Sequence, residues 1–170
     1  MIIVRLVCHD DELSRLILMD TGGVVAHAEA VMPGGTILGA FAEGGVQERP
    51  LDYDGGKFKT EILIALPASD EMAAAFHHYL RACIGEPYDF PGLFKFVEHF
   101  DLHAKKHAFC SMLIDDALRG CLYFPRPLPI PGHEVSPRIL HQMLFARPDA
   151  QVIDRNGPIF LAHVAEKAGA

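Results

Sequence analysis

The sequence predicts an α+β fold in which a small antiparallel sheet or partial barrel packs against helices. With 170 residues, 50% of them hydrophobic and 22% charged, the chain has the size and composition of one domain with a substantial core. Glycine pairs separate short apolar runs between about residues 24 and 66, which is typical of hairpin turns in an antiparallel meander. Helical patterns dominate the rest of the chain. We therefore predict a single α+β domain over residues 1–170.

The first half of the chain combines strand patterns with two helix patterns. Residues 2–8 (IIVRLVC) form an apolar run of strand length, and residues 11–19 begin with acids and continue with apolar residues at helical spacing. After the meander, Ser69 is placed to cap a helix over about 70–84, because acids follow it in the first turn and Gly85 stands at the end. One helix is thus expected on each side of the meander in the sequence.

Helical patterns recur in the second half, where a proline-rich segment interrupts them. The segment at 123–134 holds four prolines in seven residues, so we predict an extended crossing on the surface. The pair Ser136-Pro137 favours a capped helix start. The predicted elements of this half are helices at 92–100, at 108–120 and from Ser136-Pro137 to about 145, a short strand near 150–153, and a short apolar stretch at 158–165. A C-terminal helix is thus expected after the proline-rich crossing.

Charge and hydropathy argue against several kinds of function. The net charge is −7 and the lysines and arginines are scattered, so no basic stripe is available for a nucleic acid. The glycine pairs lack the Lys and Ser or Thr of a phosphate-binding loop. No apolar run approaches the ~20 residues of a membrane span, and the N-terminal MIIVRLVCHDDE does not have the pattern of an export signal. We expect a soluble cytoplasmic protein with neither a nucleic acid partner nor an integral membrane segment.

Four widely spaced cysteines give no sign of a disulfide framework or a thiolate zinc site. Only Cys110 falls in the first turn of a predicted helix, where the backbone N–H groups favour a thiolate. Cys8, Cys83 and Cys121 lie late in their predicted elements and gain no such help. Cys110 is therefore the candidate nucleophile. The alternative is that it is a small buried apolar residue.

Three stretches carry a resemblance to a known family. They are HAEAVMPGGTILGAFAEGGVQERPLDY (27–53), GEPYDFPGLF (85–94) and FCSMLIDDALR (109–119). They resemble the signature blocks of the circularly permuted papain-like amidases, the YiiX-type relatives of the NlpC peptidoglycan amidases. In that family a strand histidine comes first, a G-x-x-Y-D-[FW] turn follows, and an F-C-S-E-L-[VI] helix start brings the nucleophile last. The resemblance covers roughly residues 20–120.

The resemblance implies a permuted papain-like (NlpC-type) fold and assigns roles to particular residues. Cys110 would attack a carbonyl group, and His27 would take and return the proton. Tyr88 would donate to the developing oxyanion together with the backbone N–H of Cys110. Asp89 would brace the turn that carries Tyr88. No cofactor is needed for such a reaction.

Two positions depart from the family pattern. The family often has a third polar residue, commonly Glu, on the strand after the histidine, and here Gly39 stands in that place. Glu29 lies two residues from His27, so on a strand both side chains share a face, with Cβ atoms roughly 6–7 Å apart. Glu29 can orient the imidazole, a backbone carbonyl or a water can do so, or the cysteine and histidine can work as a dyad. Met112 replaces a usual Glu of the nucleophile helix.

Two other readings remain open. His99, His103 and His107 recur at four-residue spacing and, on a helix, would line one face in a way suited to a divalent metal. The segment has no H-E-x-x-H motif, however, and Lys105 and Lys106 add positive charge beside it. The chain could also be an inactive papain-like scaffold that serves for binding or as a structural protein.

The function that we predict from the sequence is a cysteine-dependent hydrolase of the amidase or peptidase type, with Cys110, His27, Tyr88 and Glu29 as candidate site residues. It would cleave an amide or ester bond through a thioester on Cys110. The resemblance implies a peptide, a peptidoglycan fragment or an acyl lipid as substrate, for a bacterial or phage-encoded protein. The sequence does not choose among these substrates.

Overall fold

The computed structural model describes residues 1–88, 109–124 and 129–166. Within them the chain forms a six-stranded antiparallel sheet and five α-helices, which confirms the predicted α+β class. The strands are β1 (Ile2–His9), β2 (His27–Met32), β3 (Thr36–Phe41), β4 (Gly45–Pro50), β5 (Phe58–Leu66) and β6 (Gln151–Ile153). The helices are α1 (Glu12–Thr21), α2 (Asp70–Ala82), α3 (Cys110–Gly120), α4 (Pro137–Phe145) and α5 (Pro158–Ala165), with a 3-10 helix at Gly132–Glu134.

The strand order is β4-β3-β2-β1-β5-β6, which corrects two predictions. The meander predicted over 24–66 holds only for β2, β3 and β4, because β5 pairs with β1 instead of β4. The first seven of the eight residues of β1 are buried, so this strand needs a neighbour on each edge and cover on both faces. The sheet is also open, with β4 and β6 as its outer strands, and is not a partial barrel.

The two faces of the sheet differ in what covers them. The larger core packs one face of the sheet against α2, α3 and α4, and it includes Ala28, Ala30 and Met32 of β2. A smaller cluster on the other face includes Val31 of β2 and Phe160 of α5. Since side chains alternate along a strand, the remaining residues of β2 share the face of Val31. The side chains of His27 and Glu29 therefore lie on the face with the smaller apolar cluster, whereas Tyr88 belongs to the larger core.

Side-chain caps fix the starts of three helices. Asp11 Oδ1 accepts a hydrogen bond from the Ser14 backbone N–H at 2.6 Å, Ser69 Oγ accepts from Met72, and Ser136 Oγ accepts from Ile139. Each cap satisfies a backbone donor that the helix itself leaves unpaired. The helices predicted after Ser69 and Ser136 are confirmed.

Some predicted elements lie outside the described residues. This holds for the helix predicted at 92–100 and for residues 125–128 of the proline-rich crossing. The end of that crossing forms the short 3-10 helix rather than extended chain. None of the described helices is both long and apolar enough to cross a membrane.

Candidate active site

Helix α3 begins at Cys110. The thiol of Cys110 interacts with the imidazole of His27, which lies at the start of β2. The helix packs its apolar side against β2 and β3, so Cys110 is only 2% exposed. Burial disfavours the thiolate. The positive charge of His27, a hydrogen bond from its ring, and backbone hydrogen bonds at Ala28 and Ser111 outweigh burial, and together they lower the pKa of Cys110.

His27 is held between a thiol and a carboxylate. Its Nε2 lies 3.1 Å from Oε1 of Glu29, an ion-pair contact whose geometry falls outside that of a hydrogen bond. Burial opposes the imidazolium. The pKa of His27 is nevertheless raised, first by the charge of the Cys110 thiolate and the hydrogen bond to it, and then by the Glu29 carboxylate. The site thus favours a thiolate–imidazolium pair near neutral pH.

The carboxylate of Glu29 is fully buried and fully engaged. Arg5 Nη1 donates to Glu29 Oε2 at 2.8 Å, and the Tyr53 hydroxyl donates to Oε1. Burial would raise the pKa of Glu29, but His27, Arg5 and Tyr53 lower it from 4.5 to about 2. Glu29 is therefore ionised throughout the neutral range and opposes the loss of the His27 proton.

Arg5 is the centre of a buried network of charges behind Glu29. It is completely buried, and it contacts Glu29 at 2.8 Å, Asp54 at 2.5 Å and Glu61 at 2.6 Å. Arg5 and Glu29 are direct partners in the register of β1 and β2, and Arg155 also binds Glu61. Three carboxylates around one guanidinium keep that guanidinium protonated and fix its orientation.

The sequence analysis missed Arg5, Tyr53, Asp54 and Glu61 as parts of this site. One signal was available for Arg5, because it is the single charged residue within the apolar run IIVRLVC. A charge inside a strand that is buried on both faces needs a buried partner of opposite sign. The register that places Glu29 opposite Arg5 is a property of the folded sheet, however, and the sequence pattern did not show it.

Gly39 leaves the space that Glu29 fills. A Cβ atom built on Gly39 would lie 3.3 Å from Cγ of Glu29, a tight contact, and 3.5 Å from Cζ of Phe41, an ordinary van der Waals contact. The family that the sequence resembles often has a Glu at the position of Gly39. Here Glu29 of β2 occupies the space beside that position, so its carboxylate stands near the place where the family's Glu would be. Of the alternatives left open by the sequence, the geometry favours Glu29 as the group that orients His27.

A cavity of about 400 Å³ opens beside His27. Its lining includes His27, Tyr88, Phe41, Tyr53 and Arg49, whereas Cys110 is not among the described residues that line it. Tyr88 is 7% exposed and so presents only a small surface there. Of the four sequence-predicted residues, His27 interacts with both Cys110 and Glu29, and Tyr88 shares the cavity with His27.

The remaining cysteines are not activated. Cys8, Cys83 and Cys121 are buried and free, and in each case burial raises the pKa of the thiol. Cys110 is thus alone among the four thiols in having a lowered pKa. The role of Cys110 as a nucleophile stays a prediction.

The alternative metal site lies outside the described residues, because His99, His103 and His107 all belong to the segment 89–108. In residues 1–88, 109–124 and 129–166 no group of three or more His, Cys, Asp and Glu side chains has the arrangement of a metal site. The metal reading therefore stays a hypothesis about a segment that the structure does not describe.

Comparison with known proteins gives a likeness of fold. The chain is similar to the protein described as metalloprotein yiiX from Escherichia coli O157:H7, DUF1105, with a TM-score of 0.64 and 13% sequence identity. The likeness covers 92% of this chain and 97% of that chain. No protein-family model matches the sequence, and no curated protein matches it. A YiiX-like α+β fold is thus supported, while the permuted papain-like assignment stays a prediction.

Proposed function

We propose that the chain is a cysteine-dependent hydrolase of permuted papain-like type that cleaves an amide or an ester bond. The observation that carries the proposal is the contact of Cys110, the first residue of α3, with His27, which in turn contacts the buried carboxylate of Glu29. A thiol with a lowered pKa beside an imidazole is the arrangement that cysteine nucleophiles require. The YiiX-like fold is compatible with this proposal.

In the first step the Cys110 thiolate attacks the carbonyl carbon of the substrate. A C–S bond forms, and the electron pair of the C=O double bond moves to the oxygen. The backbone N–H of Cys110, at the start of a helix, is one donor to this oxyanion, and the Tyr88 hydroxyl is the second. Phe109, the residue before Cys110, makes no side-chain cap on the helix.

In the second step the tetrahedral intermediate collapses, and the bond to the amine or alcohol breaks. The His27 imidazolium donates its proton to this leaving group, which departs and leaves a thioester on Cys110. A water molecule then attacks the thioester while neutral His27 accepts its proton. The C–S bond breaks, the carboxylic acid leaves, and the thiolate–imidazolium pair is restored.

Glu29 and Arg5 act as positioning residues in this mechanism. Glu29 holds the His27 ring in place and favours its protonated form, which is the form that serves the leaving group. Arg5 in turn keeps Glu29 ionised and fixed, since it binds Glu29 Oε2 at 2.8 Å. Neither residue needs to touch the substrate.

The proposed mechanism contains no metal step. The structural neighbour yiiX is described as a metalloprotein, so we asked whether the residues around Cys110 fit a metal ion. The oxygens of Glu29 already face Arg5, Tyr53 and His27, and a cation here would have to compete with the guanidinium. The described residues around Cys110 therefore do not fit a metal centre.

The proposal can be tested with p-nitrophenyl acetate, an activated ester whose acyl group is small. We expect acetylation of Cys110, located by peptide mass spectrometry, together with release of p-nitrophenol. Cys110→Ala should abolish both signals, whereas Cys121→Ala, a matched change of the buried thiol that follows the end of the same helix, should retain them. Acetylation of Cys110 no faster than that of Cys121 would instead favour the inactive scaffold.

A further inference from the structure

The cavity beside His27 contains a cation that the mechanism does not use. Arg49 of β4 lines this cavity, and its guanidinium carbon lies 3.8 Å from the ring centroid of Phe41. The Phe41 ring in turn lies 5.3 Å from the His27 ring, centroid to centroid. A single aromatic ring thus separates the Arg49 charge from the imidazole of the proposed reaction centre.

The stacking on Phe41 holds the guanidinium in place without neutralising it. Arg49 Nη2 donates to the backbone oxygen of Glu43 at 3.0 Å, and the other interaction partner is the Tyr53 ring, 5.2 Å from the guanidinium carbon. No carboxylate of the described residues lies within ion-pair distance of Arg49. Since a guanidinium has five N–H donors, several remain for a ligand in the cavity.

The acids that line the same cavity are placed differently. Asp54 binds Arg5 at 2.5 Å, and Asp11 caps α1 by accepting from the Ser14 N–H at 2.6 Å. The Glu43 side chain is exposed, so water and salt screen its charge. Arg49 is therefore a cation without a carboxylate partner among the described residues, in a cavity where Asp54 and Asp11 already have partners.

We propose that Arg49 binds a carboxylate of the substrate and so determines its class. The inference rests on the proposed function, because it takes the reacting carbonyl to lie beside Cys110 and His27. The substrate is then an amide of peptide-like character with a carboxylate close to the scissile bond, rather than an uncharged acyl lipid. Planar guanidinium groups bind carboxylates through paired hydrogen bonds, and the ring of Phe41 preorganises this one.

Two probes that differ only in charge test this inference. N-Bromoacetyl-β-alanine and its carboxamide both alkylate thiols, and only the first carries a carboxylate several bonds away from the reacting carbon. We would measure the rate of each at Cys110 and compare the acid-to-amide ratio between the wild type and Arg49→Gln. We expect Arg49→Gln to lower this ratio by about 5-fold, as for a partly exposed ion pair. The rate of the amide probe should not change, which shows that the site remains folded.

Arg81→Gln serves as the matched control, since Arg81 is exposed on α2, which packs on the opposite face of the sheet. It removes the same charge and should leave the ratio unchanged. If Arg49→Gln and Arg81→Gln have equal effects on the ratio, the carboxylate site is wrong even when Cys110 reacts selectively with both probes. If Cys110 reacts with neither probe faster than Cys121 does, it is the proposed hydrolase function that fails.

Discussion

The two ends of α3 each carry a buried cysteine, and the two thiols differ in acidity. Cys110 is the first residue of the helix and is 2% exposed, while Cys121 follows its last residue and is 6% exposed. Burial raises the pKa of Cys121. Burial acts in the same direction on Cys110, yet His27 and the backbone donors at Ala28 and Ser111 lower its pKa.

Burial alone thus does not set the pKa of a thiol. Helix direction helps, since the N-terminus favours an anion and the C-terminus disfavours it. His27 on β2 lowers the pKa of Cys110 more than the backbone donors do, and Glu29 and Arg5 stand behind His27. Substitutions can remove these contributions one at a time.

Loss of Arg5 is expected to have the largest effect. Arg5→Met leaves Glu29, Asp54 and Glu61 without their shared cation in the interior, so the free energy of unfolding should fall by about 3–5 kcal/mol. Urea unfolding at pH 7 measures the change. The control is Arg15→Met, because the ion pair of Arg15 with Asp10 is more than half exposed and should contribute less than about 1 kcal/mol. Equal losses for the two variants would contradict a buried network.

The same network predicts how the stability of the fold changes at acidic pH. The pKa of Glu29 is lowered from 4.5 to about 2 in the folded protein. A depressed carboxyl pKa contributes stability that is present above the unfolded value and is lost as the pH falls toward the folded value. The wild type should therefore lose this stability between about pH 4.5 and pH 2, and Arg5→Met should show a weaker dependence in that window because its Glu29 titrates closer to the unfolded pKa.

Removal of His27 should abolish the difference in alkylation rate between Cys110 and Cys121, at the two ends of α3. In the wild type, alkylation of Cys110 by iodoacetamide should rise at a lower pH than that of Cys121, since only the first thiol has a lowered pKa. In His27→Ala the rate at Cys110 should fall about 100-fold at pH 7, because loss of the imidazolium raises the pKa of the thiol. Mass-spectrometric mapping separates the sites. The control is His78→Ala, an exposed histidine on α2, and it should leave both rates unchanged.

Neutralising Glu29 should reduce the difference in alkylation rate between Cys110 and Cys121 without abolishing it. Glu29→Gln keeps the shape of the side chain but removes the charge that opposes loss of the His27 proton. We expect the alkylation rate of Cys110 at pH 7 to fall about 10-fold, because Glu29 acts on the pKa of the thiol only through His27. A fall as large as that of His27→Ala would mean that Glu29 supports the fold rather than the imidazole.

Moving the carboxylate to the neighbouring strand sharpens this test. A side chain at Gly39 would meet Glu29 within 3.3 Å, and Gly39 does not have the positive φ that only glycine adopts easily. The double variant Glu29→Gly with Gly39→Glu should therefore restore part of the reactivity that Glu29→Gly alone loses. No recovery in the double variant, with the fold intact by circular dichroism, would show that Glu29 is needed for its contact with Arg5 and not only for its charge.

The smallest change is expected from Tyr53. Tyr53→Phe removes the hydroxyl that donates to Glu29 Oε1 and leaves Arg5 and His27 in place. One lost hydrogen bond to a charged group that keeps its other partners should lower the Cys110 alkylation rate by about 3-fold. Tyr79→Phe, which removes the hydroxyl of a partly exposed tyrosine on α2, is the control. No change in Tyr53→Phe would place Tyr53 outside the group that orients His27.

Local rules allowed much of the fold to be predicted. The apolar run at 2–8, the caps at Ser69 and Ser136, and the glycine pairs all lie where the structure has β1, helix starts and turns with positive φ. The strand order could not be predicted in this way. β5 pairs with β1 because the central strand needs neighbours on both edges, and no local pattern encodes that choice.

Some residues of the candidate site could likewise be predicted from the sequence, and others could not. Cys110 could be singled out because a position in the first turn of a helix is a local property, and His27, Tyr88 and Glu29 followed from the resemblance or from strand alternation. The roles of Arg5 and Gly39 could not be predicted from the neighbouring sequence. Both depend on tertiary contacts with Glu29, which pairs with Arg5 across β1 and β2 and lies against Gly39 of β3.

The sequence by itself determined the α+β class, the helix and turn positions, and the presence of one cysteine at a helix start. These depend on capping, periodicity and backbone freedom, which act over a few residues. Only the tertiary structure decided which carboxylate faces His27 and that Arg5 holds this carboxylate ionised. Electrostatic interactions depend on distances between side chains that are far apart in the chain, and in a buried site small changes in those distances set the charge of every group.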